Sequence, residues 1–125
     1  MKTVLWVSRH PVNGIQLPAL RRMFGANVQV VEDLRPFDSA EQIVARYRQG
    51  SFADMIVVVP LSVLAKIVEL GVRPLWSQAG VVNEQKLSDW SVNGRHYRFV
   101  EFRRVRKLVL EFDDLGDAAK RKGSD

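Results

Sequence analysis

Met55-Ile56-Val57-Val58-Val59, closed by Pro60, is an unbroken apolar run dominated by β-branched residues. A strand with no polar alternate has both faces covered, which is the condition of a central strand in a parallel sheet. Working outward, Leu61, Leu64, Ala65 and Val68 recur at helical spacing over residues 61–70, and Gly71 ends the pattern. Val72 to Trp76 then reads as a fourth strand. Upstream, Ser39-Ala40-Glu41-Gln42 is a capping box that opens a helix with Ile43, Val44 and Tyr47 facing inward, ending near Gly50. Before it, Asn27 to Val31 is a strand closed by Glu32-Asp33.

The first unit repeats the plan. Residues 3–7 form a strand that runs into Ser8-Arg9-His10-Pro11. Asn13-Gly14-Ile15-Gln16 resembles a helix N-cap with a glutamine three residues on, and Leu17, Leu20 and Phe24 continue to a stop at Gly25. Pro18 falls in the first turns, where a missing N–H costs least. Alternating strands and helices with short loops predict an α/β protein: a Rossmann-like three-layer fold with a mainly parallel sheet.

After Ser77 the rhythm changes. Residues 87–92, Asn93-Gly94 and residues 95–102 read as a β-hairpin, since Asn-Gly suits a type I′ turn. Val105, Leu108, Val109, Leu110 and Phe112 suggest one more strand, with Arg103-Arg104 as a bulge or turn before it. The expected organisation is a single domain over 1–112, with a C-terminal antiparallel hairpin extension over 87–112, and a flexible tail over 113–125.

A chain of 125 residues fits one domain, and its 46% apolar and 26% charged residues are an ordinary globular balance. Cysteine is absent, which removes disulfides, thiolate nucleophiles and cysteine-bound zinc. The apolar start is too short for a signal core or a membrane span, so the expectation is a cytoplasmic protein with no membrane partner. The net charge of +5 is local: residues 95–107 carry Arg95, Arg98, Arg103, Arg104, Arg106 and Lys107 against Glu101, and the remainder is balanced. Such a ribbon suits a phosphate-rich partner or a solvated β-face.

Ligands of open parallel sheets bind beyond the carboxyl ends of the strands. Those ends are Ser8-Arg9-His10, Glu32-Asp33, Pro60-Leu61-Ser62 and Ser77-Gln78. Helix N-termini there favour anions, so the rim is a candidate phosphodiester site. Ser8 and Ser62 also suit turn caps, His10 before proline suits a structural loop, and adjacent Glu32 and Asp33 point to opposite faces, a poor acid/base pair. The chain has no dinucleotide fingerprint, Walker loop or nucleophile elbow. His10 and His96 lack metal-ligand spacing, so no cofactor and no metal are expected. Trp6 and Trp76 sit in strands and suit the core. Trp90, Tyr97 and Phe99 suit either base stacking or packing of the hairpin.

Val4-Leu5-Trp6-Val7-Ser8-Arg9-His10-Pro11, with Val59-Pro60-Leu61-Ser62 and Glu69-Leu70-Gly71-Val72-Arg73-Pro74-Leu75-Trp76, resembles the small stand-alone CRISPR-associated ring nucleases, compact relatives of CARF (CRISPR-associated Rossmann fold) domains. The likeness spans residues 3–78 and departs at Val12, where the family pattern has glycine. It implies a homodimer that binds a cyclic oligoadenylate, the tetramer foremost, and cleaves it without metal in type III CRISPR signalling or its counter-defence. It further implies that Ser8, Arg9 and His10 line the site as its catalytic residues, with Ser62 opposite; the reading of the sheet rim adds Asn13, Pro60, Leu61, Ser77 and Gln78 to the ligand surface. The alternative is a non-catalytic module that binds nucleotide or RNA through Arg95, Arg98, Arg103, Arg104, Arg106 and Lys107. A third reading makes the hairpin a dimerisation arm.

Overall fold

A computed structural model describes residues 2–109 and 111–116. Their element order is β1 (Thr3–Val7), α1 (Gln16–Phe24), β2 (Gln29–Asp33), α2 (Ala40–Gln49), β3 (Asp54–Val57), α3 (Leu61–Glu69), β4 (Leu75–Val82), a 3-10 turn at Gln85–Leu87, β5 (Trp90–Val92) and β6 (Arg95–Arg104). The strands form one six-stranded mixed sheet in the order β2-β1-β3-β4-β6-β5. The first four strands pair in parallel, and β6 runs antiparallel to both β4 and β5. The described residues form an α/β fold with three α-helices.

Every residue of β3 is buried: Met55, Ile56 and Val57 as the apolar run requires, and Asp54 at its start with them. Alternate strand residues feed two apolar clusters. Leu5, Val7, Met55 and Val57 pack with Ile43 and Val44 of α2 and with Leu64 and Ile67 of α3. Val4, Trp6, Ile56 and Leu75 pack with Leu20 and Phe24 of α1.

The capping signals act as read. The Asn13 side-chain oxygen accepts from the Ile15 and Gln16 N–H groups at 2.9 and 2.8 Å, while Gln16 Oε1 accepts from Asn13 N–H at 3.1 Å. Ser39 Oγ accepts from Gln42 N–H at 3.3 Å, and the Gln42 side chain reaches back to Asp38 N–H at 2.7 Å. These bonds occupy amide groups that a helix start leaves without partners.

Boundaries differ from the sequence reading in several places: β3 runs from Asp54 to Val57 and stops two residues short of Val59, β5 takes only Trp90–Val92 of the expected 87–92, and β6 continues past 102 to Arg104. β2 begins at Gln29 and includes Glu32 and Asp33, because Val28 N–H is spent on Gly25 O in the turn leaving α1. β4 begins at Leu75, not Val72: Val72 N–H bonds to Ile67 O and so closes α3, and Pro74 has no N–H to pair. β4 then continues to Val82, because β6 pairs with it along its whole length. The irregularity expected at Arg103-Arg104 lies instead between Gln78 and Ala79, where Val100 is the extra residue on β6; Arg103 and Arg104 pair in register with Trp76 and Leu75. That bulge lets Phe99 and Phe102 touch, with ring centres 4.9 Å apart.

The expected final strand is not formed: Val105 N–H makes a last backbone bond to Pro74 O, and residues 106–109 and 111–112 have no strand partner. Phe112 is 87% exposed, so no apolar face exists there to hold a strand. Leu110 and residues 117–125 of the expected tail lie outside the described residues; residues 113–116 are exposed, in neither helix nor strand. The turn residues Asn93 and Gly94 take φ of 51° and 78°, the left-handed pair of a type I′ turn.

Candidate functional site

β1 and β3 lie side by side, and the connections leaving them diverge at their carboxyl ends: α1 packs on one face of the sheet and α3 on the other. Such a divergence leaves a crevice that the helices cannot fill. Ser8, Arg9 and His10 stand in it. Their backbone is fixed from three directions. Ser8 N–H reaches Asp33 O at 3.4 Å, Ser8 Oγ accepts from His10 N–H at 3.1 Å, and Trp6 Nε1–H donates to His10 O at 2.8 Å. Ser8 is buried, and its hydroxyl oxygen already accepts the bond of a tight turn, with its O–H left to donate. Arg9 and His10 are exposed.

This crevice is a cleft of about 630 Å3 between residues 7–10, residues 34–37 and residues 58–60. Its polar lining is Ser8, Arg9, His10 and Arg35, with no carboxylate among the lining residues. Asp33, just beneath, is buried and spoken for: its oxygens accept from Arg35 Nε and Nη2 at 2.9 and 2.8 Å, from Arg35 N–H at 3.2 Å, and from Arg46 at 3.5 Å. The Arg35 hydrogen bonds hold the Asp33 carboxyl below its ordinary range, against the upward push of burial. Arg35 is thereby held at the mouth with its charge offset by Asp33.

α3 starts at this cleft. Pro60 O accepts from Val63 and Leu64 N–H at 3.0 Å each, and the first turn has neither a side-chain cap nor an acid. Its positive end is uncompensated. Pro60 lines the cleft, whereas Leu61 and Ser62 are exposed on the helix and line neither it nor its neighbour. The structure therefore does not bring Ser62 beside Ser8 and His10.

A second cleft, of about 370 Å3, adjoins the first and shares Ser8, His10 and Val58 with it. Asn13, Pro11 and Trp6 form one side, and Trp90, Ser91 and Val92 of β5 form the other. Ser77 lines neither cleft. It is buried, and its Oγ accepts from Gln16 Nε2–H at 3.1 Å, tying α1 to β4. Gln78 accepts from Arg103 at 3.4 Å, also away from the clefts.

The basic ribbon is divided. Because β6 runs antiparallel to β4, Arg95 and Arg98 lie toward the carboxyl edge, while Arg103 and Arg104 lie at the opposite end. Arg104 is engaged by Asp54 through both terminal nitrogens, at 2.7 and 2.5 Å, and also donates to Arg73 O at 2.9 Å. Arg103 meets Glu101 at 3.5 Å. Arg106 and Lys107 follow, exposed. A continuous six-cation surface does not form.

The sequence reading missed Arg35, Val58 and the β5 wall. Arg35 carried a signal, since an arginine two residues after a strand-ending aspartate can fold back on it; the return of β5 over His10 needed the β4–β6 pairing to be known. Among the described residues, no group of three or more His, Asp or Glu is placed to hold a metal ion. No described helix is long and apolar enough to cross a membrane. Comparisons with protein families, with curated proteins and with solved structures return no match for this chain.

Proposed function

We propose that this protein is a Rossmann-like three-layer domain that binds a phosphodiester-containing nucleotide, a cyclic oligoadenylate by the resemblance of residues 3–78, in the cleft at residues 8–10. Two core clusters on opposite strand faces, one with α1 and one with α2 and α3, support the layering. The observation that carries the ligand class is the cleft's lining: Arg9, His10 and Arg35, the last paired with Asp33 beneath, surround one volume whose lining has no carboxylate, with Pro60 at the start of α3 on its wall. Arginine side chains gathered at one crevice favour phosphate.

The reaction proposed is strand scission without metal. A ribose 2′-hydroxyl attacks the adjacent phosphorus; the 2′-O–P bond forms, the P–O5′ bond breaks, and the products are a 2′,3′-cyclic phosphate and a 5′-hydroxyl. Arg9 offsets charge growing on the phosphoryl oxygens, and the His10 ring moves a proton to or from the reacting oxygens. A two-fold ring suits two copies of the chain. The test is chromatography of cyclic tetra-adenylate incubated with the protein in EDTA. Linear products are expected, and His10→Ala should slow their appearance roughly a hundredfold or more. Intact ring bound to the wild-type protein would favour the second reading, a sensor that binds without cleaving. That reading draws on the Ser8 hydroxyl, which is committed to the turn.

A further inference from the structure

We infer that the smaller cleft, walled by Trp90, is a nucleobase subsite, so that the ligand is a nucleotide held by its base as well as by its phosphate. The inference rests on the phosphate reading of the larger cleft and extends it to a part of the chain outside the family resemblance.

The two clefts differ in chemistry and share a wall. The larger one presents Arg9 and Arg35. The smaller one has no charged residue in its lining apart from the titratable His10 that the two share. Its exposed surface is mainly apolar, from Val58, Val92, Pro11 and the half-buried Trp90. An aromatic face opposite aliphatic side chains accepts a flat, weakly polar ring.

Trp90 is held in place by the hairpin. Its ring stacks on Tyr97 at 6.1 Å with an interplanar angle of 17°, and β5 is pinned to β6 in register, Trp90 opposite Tyr97. Asp89 N–H donates to Tyr97 O at 2.7 Å, and the Asp89 carboxylate accepts from Phe99 N–H at 2.8 Å, fixing the approach to the strand. A platform ordered before binding loses little freedom when a ring settles on it.

Polar groups for an edge are at hand. Asn13 spends its side-chain oxygen on the Ile15 and Gln16 amides, which orients its NH2 group and leaves it without a partner among the described residues. The His10 ring stands at the junction of the two clefts. A molecule occupying both volumes across Ser8 and His10 must combine an anion with a flat heterocycle a few bonds away. That describes a nucleotide; a free phosphate leaves the smaller cleft empty, and a neutral aromatic leaves the arginines unused.

Calorimetric titration of the full chain with ADP and, separately, with pyrophosphate tests this. With the wild-type protein ADP should bind more tightly than pyrophosphate. Trp90→Ala should weaken ADP roughly ten- to hundredfold, the range for loss of one base–aromatic stack, and leave pyrophosphate unchanged. Trp90→Phe, which retains an aromatic face and the Tyr97 stack, should recover most of the loss and shows that the hairpin is intact. Equal affinity of wild type and Trp90→Ala for ADP, with pyrophosphate still bound, overturns the base subsite and leaves the phosphate cleft standing. Failure of the wild-type protein to bind either ligand overturns both.

Discussion

Asp33 shows how one residue beneath the cleft positions an arginine at its mouth and offsets its charge. It is buried among hydrogen bonds from Arg35 and Arg46, and its carboxyl titrates below its ordinary value. A depressed folded pKa stabilises the protein fully above the unfolded value, about 3.9, and is lost as pH falls through the lower folded value. Asp33→Asn should therefore lower stability at pH 7, and the deficit should vanish only well below pH 4; urea unfolding at pH 7 and pH 3 reads this directly. An equal deficit at both values would show that the carboxylate charge contributes nothing. His10 contrasts with it: the residue is exposed, so His10→Ala should shift stability by no more than about 0.5 kcal/mol while slowing the proposed cleavage. At this scale the sequence was partly legible. Asn13 and Ser39 act as the capping residues their spacing announced, because capping is a local interaction. Ser62 and Ser77 were named for the rim on the same local grounds, yet Ser62 lies out on α3 and Ser77 bonds to Gln16 sixty-one positions away. Which way a rim serine turns is decided by partners that no local pattern reveals.

Among the elements, the β5–β6 hairpin carries most of what the sequence left open. Its turn was legible, because Asn93-Gly94 satisfies positive φ at both positions. Gly94→Ala places a Cβ at φ 78° and should destabilise the protein by about 1–2 kcal/mol in chemical denaturation; an unchanged midpoint would mean that the hairpin unfolds independently of the core. The other end of β6 is anchored by Arg104 on Asp54. Removing the guanidinium in Arg104→Met leaves a largely buried carboxylate without its partner, an expected loss of about 1–3 kcal/mol. Asp54→Asn added to that variant should restore part of the stability, whereas nucleotide affinity should stay unchanged in both. Loss of nucleotide binding on Arg104→Met alone would assign the ligand to the amino-terminal end of the sheet instead. Arg104 read as a free cation from its neighbours in sequence; fifty residues separate it from the group that neutralises it.

For the molecule as a whole, the alternation of β and α units decided the fold class, because each unit's periodicity is contained within it. The place of residues 87–104 was not legible in the same way. They read as an extension, whereas β6 pairs with β4 along its length and seats Phe102 against Trp6, with ring centres 6.2 Å apart. A chain truncated after residue 86 should accordingly show no cooperative thermal unfolding; a sharp transition would demonstrate that the first four strands fold alone. The same pairing carries β5 to the carboxyl edge and gives the two clefts their common neighbourhood. The central claim is that ligand enters this edge and not the basic end near Arg73 and Arg106. Amide chemical shifts during titration with cyclic tetra-adenylate test it most directly. The expected result is perturbation centred on residues 8–10, 34–37, 58–60 and 90–92. Perturbation centred on residues 73 and 103–107, or none at saturating ligand, would contradict it.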